Sequence, residues 1–524
     1  MPKACRFCNA HRVRHSGIRL HFPPGLRLWC VAVEIVFVTS ELAPYSRSGE
    51  PSELADVAAS LPKALRGLGH KVVVISPLYR DIDPTARSLA RRLSTLNVEL
   101  RGKTYACTLY DGRTTGGVDL IFLGNAELFG SRTAADVQDD LSTRAAVVLG
   151  CAAAQLAAKR DPAVDVLHAH GPGAALAVAC AKNARPELVC VLSVYEGQPS
   201  HPLENGLAEL GTLSANSTAA SNANTQWETA SWASQLGELR LAPSLAGIGL
   251  AFADGVIVTA ESTLQTFLSN PELGPAFAAK RGAAAGIVNG VDSSLWNPLI
   301  DSNLSARFDA THLEGKARCK ASLQYMFGLG IAPDLPVIAA IGDLSETRGG
   351  DLIAQVAQAA LRNEVQLIVL ANESPAAEAL TVLAEQYPER LALRTSHDDK
   401  ERHLALGGAD FLLLPARKPV ALDIAIAAMR YGTLPIVRPV GPLADFVVDV
   451  DSQLETGNGF LITDADSGEL LAGIQRALAA FAQRTKFDAL RKRVMLQDLS
   501  WERSARRYEH LYKRIRQSLQ QPAA

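Results

Sequence analysis

The chain has 524 residues, 48% apolar and 20% charged, with a net charge of −2. That length exceeds one ordinary core and suits two domains of roughly 200 to 250 residues, with enough apolar material for buried parallel strands. So small a net charge gives no electrostatic basis for nucleic acid or membrane-surface binding as the main role, and the expected partner is a small molecule or a neutral polymer.

Residues 1–32 stand apart, dense in Arg and His, with Cys5 and Cys8 followed by His11 and His15. Such spacing allows a tetrahedral zinc site, but no hydrophobic mini-core accompanies it. The segment is read as a disordered extension or a start codon assigned too far upstream, and no metal is expected. The remaining cysteines, Cys30, Cys107, Cys151, Cys180, Cys190 and Cys319, are scattered and several have apolar neighbours. That is cytosolic usage rather than a disulfide framework. No uninterrupted apolar run reaches the ~18 to 20 residues of a membrane helix, so a soluble, cytoplasmic protein is expected.

The first strand is Ile35 to Val38, followed by a loop from Ser40 to Gly49, an amphipathic helix and a strand from Val72 to Ile75. A strand-loop-helix-strand unit opens many nucleotide-binding domains, because the loop N–H groups and the helix N-terminus favour anions. The helix carries Leu54, Val57, Ala58, Leu61, Leu65 and Leu68 on one face and closes at Gly69, with Pro62 expected to kink it or shift its start. Asp165 to His170 forms a further strand, followed by an Ala-rich helix over 173–182 and a strand over 188–194. Leu213 to Gln226, rich in Ser, Asn, Thr and Ala without periodicity, reads as a mobile surface loop.

A second series begins at Pro336 to Ile341. It continues with a helix over 351–361, a strand over 366–371, a helix over 375–386, a strand over 410–414, a helix over 421–430 and a strand over 433–437. Short apolar strands alternating with ~12-residue helices predict a second doubly wound parallel sheet. The expected division is a domain over 33–298, a second over 299–485 and a terminal segment over 486–524.

Several long motifs resemble one family. Glycogen and bacterial starch synthases open with Ser-Glu-Val-Ala-Pro-Phe-Ala-Lys-Thr-Gly-Gly-Leu-Ala-Asp-Val, and Ser40 to Gly49 with Leu54-Ala55-Asp56-Val57 follows that text. Arg47 stands at the Lys position, and Glu50-Pro51-Ser52-Glu53 replaces the second Gly. Gly286 to Asp292 with Leu295-Trp296-Asn297-Pro298, Gly408 to Phe411, Arg430 to Arg438 and Leu443-Ala444-Asp445 resemble further family text. Leu499-Ser500-Trp501-Glu502 begins the helix that in the family crosses back to the N-terminal domain. The resemblance covers about residue 34 to 514 and implies an α/β fold of GT-B type, with two doubly wound Rossmann-like domains facing across a cleft. It also implies retaining transfer of glucose from ADP-glucose to an α-1,4-glucan, without metal or other cofactor. The implied partners are therefore a nucleotide-sugar and an α-glucan. Arg47, Gly49, His170, Asn289 and Arg348 are the implied donor-binding candidates, and Arg47, Asn289 and Arg348 are expected to line one cavity.

Several family positions carry different chemistry. The phosphate motif Ser-Arg-Leu-Thr-x-Gln-Lys-Gly appears as Gly342 to Gly349, keeping a cation at Arg348 but placing Asp343 where the family has Arg. At about 5 Å and an effective dielectric of about 20, one unit pair is worth roughly 3 kcal/mol, so charge reversal costs up to roughly twice that. The family's His-Asp-Trp-His becomes His170 to Gly173, which leaves no second His for the glucose pocket. Its Ile-His-Asn aligns with Ser193-Val194-Tyr195, and the sugar-contacting Glu of Ser-Arg-Phe-Glu-Pro-Cys-Gly-Leu aligns with Pro419, Asp423 lying one helical turn further on. Thr-Gly-Gly-Leu becomes Val440 to Leu443, where Pro442 removes an N–H.

Each candidate has a structural reading beside the functional one. His168 and His170 read as strand-end residues held by backbone hydrogen bonds, or as catalytic groups. Arg47 faces the cleft or solvent, Asn289 is a turn residue or a donor contact, and Trp296 and Trp501 are packing residues or sugar platforms. Two functions compete: a working glucosyltransferase with altered preference, and a noncatalytic relative that binds glucan or a metabolic enzyme.

Overall fold

Parallel strands rich in Val and Ile, buried on both faces, build two sheets. The computed structural model describes residues 32–47, 52–136, 140–196, 200–217, 225–280, 282–420 and 422–520. The 1–31 segment with its Cys and His residues, and Gly49, lie outside them. Two compact units result: 32–257 with 271–284 and 505–520, and 258–270 with 285–504.

The first sheet contains β1 (Glu34–Thr39), β2 (Lys71–Pro77), β3 (Ala90–Leu100), β4 (Lys103–Arg113), β5 (Asp119–Gly124), β6 (Val166–His170), β7 (Val189–Ser193), β8 (Leu213–Ser217), β9 (Thr225–Trp227), β10 (Gly255–Val258) and β11 (Ala284–Gly286). Their order is β11-β10-β7-β6-β1-β2-β5-β4-β3-β8-β9. β1 pairs in parallel with β2 on one side and β6 on the other, so the direction of winding reverses between β1 and β6. The loops after these two strands flank the crevice where an open α/β sheet takes its ligand.

Three readings need correction or completion. Residues 213–217 form a strand, antiparallel to β3 with Leu100 opposite Leu213, and 225–227 pair with them. Leu213 and Ala215 are buried, and Ser214 Oγ donates to Glu99 Oε2 at 3.0 Å. Small polar residues therefore cover the alternation that a half-buried strand needs. The helix after β1 runs Glu53–Gly67 with Ser52 as its N-cap, so Pro62 sits within it and does not move its start. Helix Asp140–Ala158 is long and apolar enough by composition to cross a membrane, but 67% of that stretch is buried. A methyl on Gly150 would lie 2.9 Å from the backbone N of Ala177, so Gly150 lets this helix approach helix Leu176–Ala184 closely.

The second sheet contains β12 (Val337–Ile341), β13 (Gln366–Leu370), β14 (Leu391–Arg394), β15 (Phe411–Leu414), β16 (Leu434–Val437) and β17 (Phe460–Leu461), in the order β14-β13-β12-β15-β16-β17. Every pairing is parallel. Its switch point lies between β12 and β15. At the N-terminal ends of β12 and β15, Asp410 is buried between Lys320 Nζ and Arg491 Nη2, each at 2.8 Å, and accepts from the Val337 N–H at 3.0 Å. Helix Arg484–Met495 packs in this unit through Arg491, whereas helix Trp501–Gln520 passes into the first unit from Ala505 onward.

Candidate functional site

In the first unit, the chain leaves β1 through a loop that fixes itself. Thr39 Oγ1 donates to the Glu41 carbonyl at 2.6 Å, Leu42 and Ser46 exchange backbone hydrogen bonds, and Ser52 Oγ donates to Glu41 Oε2 at 2.5 Å. Arg47 is half-buried and forks onto Asp56, with Nη2 2.8 Å from Oδ1 and Nη1 3.3 Å from Oδ2. One turn of the helix thus aims the guanidinium. Such a planar fork is what Arg offers and Lys does not.

His170 ends β6, fully buried and stacked on Phe37 with ring centroids 4.9 Å apart. Its Nδ1 lies 2.8 Å from the Tyr195 hydroxyl, while Nε2 is buried with no hydrogen-bond partner among the described residues. His168 lies between the Tyr512 hydroxyl at 2.7 Å and Ser193 Oγ at 2.8 Å. The partners are side chains, not the backbone groups expected. Burial pushes the His170 imidazole down to about 3, and burial first, then His170, hold His168 well below the usual histidine range. Both rings are neutral at pH 7 and act as hydrogen-bonding groups. Tyr195 stands where the family text has Asn. It is the orienting partner of His170, a role visible only once β6 and β7 pair His170 with Ser193.

Gly173 lies in the short 3-10 turn Pro172–Ala174 that follows β6. The Ser40 side chain and His201 stand beside it: a methyl on Gly173 would lie 3.1 Å from Ser40 Cβ and Oγ and 4.0 Å from His201 Nε2.

In the second unit, the turn after β12 places Gly342 at φ 121° and Gly349 at φ 78°. A methyl on Gly349 would meet the Pro415 carbonyl at 2.3 Å, so only glycine fits where this loop touches the loop after β15. Asp343 is exposed, and its Oδ1 accepts the Ser345 N–H at 2.9 Å. Arg348, half-buried in the turn Glu346–Arg348, makes no ion pair among the described residues. The Arg417 N–H donates to the Thr347 carbonyl at 2.9 Å, which joins the loop bearing Arg348 to the loop bearing Pro419. Arg417 reaches both Asp351 oxygens, at 2.5 and 2.7 Å, and these hydrogen bonds hold the Asp351 carboxyl below the usual carboxylate range. Arg438 Nη1 donates to the Arg417 carbonyl at 3.2 Å, adding a third guanidinium that motif matching left unassigned. Pro419 is exposed, and its Cβ lies 2.6 Å from where a Gly441 methyl would be. Asp423 opens helix Asp423–Arg430, whereas Pro419 lies outside that helix. Pro442 begins helix Pro442–Phe446, where its missing N–H removes no helical bond.

The structure therefore brings Asp343, Arg348 and Pro419 to one switch point, and Arg47, His170 and Gly173 to the other. Asn289 is half-buried in the second unit, next to Gly290, whose absent side chain admits the Ser500–Trp501 backbone at 2.4 to 2.6 Å. Trp296 stacks on His403 at 4.0 Å, and Trp501 is buried.

Two doubly wound units, each with loops of glycine and arginine at a switch point, define a GT-B glycosyltransferase fold. A solved structure with this fold, the catalytic domain of starch synthase IV from Arabidopsis thaliana bound to ADP and acarbose, superposes with a TM-score of 0.74 at 23% identity, covering 93% of this chain and 100% of that one. The starch synthase catalytic domain family matches residues 34–264. Glycogen synthase of Anaeromyxobacter dehalogenans (strain 2CP-C) is 33% identical over 505 residues, covering 92% of this chain and 100% of that protein. Glycogen synthase of Myxococcus xanthus (strain DK1622) is 33% identical over 506 residues, covering 92% and 99%. The chain belongs to the glycogen synthase family of glucosyltransferases.

Proposed function

We propose that this protein is a cytoplasmic member of the family in which transfer of glucose from ADP-glucose to an α-1,4-glucan is weak or altered. The observation that carries this is the composition of the second unit's switch point. Asp343 presents an exposed carboxylate beside the turn that holds Arg348, and the exposed Pro419 has no carboxylate to offer a sugar. A diphosphate leaving group needs pre-organised positive charge, and a carboxylate in that field weakens it. Arg348 and Arg438 leave cations beside this switch point, whereas Arg417 is paired with Asp351, so the reading is of impaired chemistry with retained nucleotide binding.

A test follows from the charge. Asp343→Arg should bind ADP at least tenfold more tightly by calorimetry while glucosyl transfer stays low, because Pro419 and Gly173 are unchanged. Equal ADP affinity in the variant and the unmodified protein would remove the electrostatic basis of the reading.

A further inference from the structure

The turn at Gly173 leaves no room for a larger residue without moving Ser40, whose Cβ and Oγ would stand 3.1 Å from any Cβ placed there. His201 Nε2 lies 4.0 Å from that same point. His201 comes from the loop after β7 and is buried. Its backbone adopts φ 50°, a left-handed conformation that is uncommon outside glycine and in which His, like Asn and Asp, is enriched.

That conformation is held from both sides. The His201 carbonyl accepts the Leu245 N–H at 3.0 Å, the Ser200 carbonyl accepts the Ala246 N–H at 3.2 Å, and Leu203 N–H donates to the Pro243 carbonyl at 2.9 Å. The first turn of helix Leu245–Phe252 thus anchors the loop and keeps the imidazole in place. Strained backbone fixed by its surroundings, with a polar side chain at the ligand-binding edge of a sheet, is a mark of a functional position. Burial lowers the affinity of His201 for a second proton, so the ring is a neutral donor-acceptor suited to hydroxyl groups.

The geometry points to His201, with Ser40, as the sugar-hydroxyl contact of the first unit's switch point, the imidazole standing, from a different loop, 4.0 Å from where a side chain on residue 173 would begin. The inference rests on the nucleotide-sugar reading above and goes further by assigning recognition of the glucosyl group to this residue.

Calorimetry with ADP and with ADP-glucose separates the two. His201→Asn keeps a residue that tolerates the left-handed backbone but shortens the side chain, whereas His201→Gln restores the reach. His201→Asn should weaken ADP-glucose about tenfold, the scale of one lost buried hydrogen bond, and leave ADP within about twofold, a span of only about 0.4 kcal/mol. His201→Gln should recover most of the loss. ADP-glucose binding to His201→Asn within twofold of the unmodified protein would overturn the assignment, as would equal weakening of both ligands. If the unmodified protein binds ADP but takes ADP-glucose no better, the nucleotide-sugar reading itself falls, and the assignment with it.

Discussion

Arg417 and Asp351 form a two-pronged ion pair, at 2.5 and 2.7 Å, that ties the loop after β15 to the first turn of the helix after β12. These are the two segments that flank the second unit's switch point. The pair fixes the spacing of the loops that carry Arg348 and Pro419, and the third contact, from Arg417 Nη1 to the Glu346 carbonyl at 2.7 Å, reinforces it.

Because the two side chains are 27% and 35% exposed, the pair is worth little in stability, about 1 kcal/mol or less. Arg417→Met should lower the melting temperature by no more than about 2–4 °C. Asp351→Asn should do the same, and the double variant should lose less than the sum. Additive losses in a thermal double-mutant cycle would show that the two residues act separately.

The buried pairing of Asp410 with Lys320 and Arg491 is a different case. Burial pushes the Asp410 carboxyl up, but Lys320 and Arg491 outweigh it and hold it below its ordinary value. Asp410→Ala leaves two buried cations without their anion and should cost about 3–5 kcal/mol in urea denaturation. The folded state depresses this pKa, so its stabilisation is present above the unfolded value of about 3.9 and is lost as pH falls through the folded value. A loss under 1 kcal/mol at pH 7 would mean that the cations find other partners.

His170 gives stability a slope at milder pH. Burial lowers its folded pKa to about 3, against about 6.5 in the unfolded chain. Between those values the unfolded chain binds the extra proton, so stability rises with pH, by about 1.4 kcal/mol per unit for this one residue. His170→Phe should flatten the slope of unfolding free energy between pH 6.5 and 5 by about that amount. An unchanged slope would place the His170 ring in water.

Strong local signals were legible in the sequence. The helix expected around 375–386 runs Pro375–Gln386, with Ser374 as its cap and Pro375 in its first turn. Apolar runs made β1, β2, β6, β7, β12, β13, β15 and β16 legible, but not the parallel strands β5, β10, β14 and β17. The hairpin of β3 and β4 was not legible, since charged residues interrupt its alternation and the contact of Arg92 with Asp111 forms only when the strands pair. Strand β8 was hidden by its Ser and Asn content. At the switch points, motif text pointed to Arg47, His170 and Arg348 as candidates. Their partners Asp56, Tyr195 and the Arg417 loop were not legible, because packing sets those distances and motif spacing does not. His201 left no signal at all, since what marks it is the space beside Gly173.

The central claim is that the residues at the two switch points do not support ordinary glucosyl transfer. Incubating the purified protein with radiolabelled ADP-glucose and glycogen, beside a glycogen synthase of this family at equal concentration, measures it directly. The account predicts incorporation several orders of magnitude lower, since Asp343, Pro419 and Gly173 each remove a contact to donor or sugar and such losses compound at separate sites. Incorporation within tenfold of the relative would contradict it, and would mean that Arg348, Arg417 and His201 together restore what those positions lack.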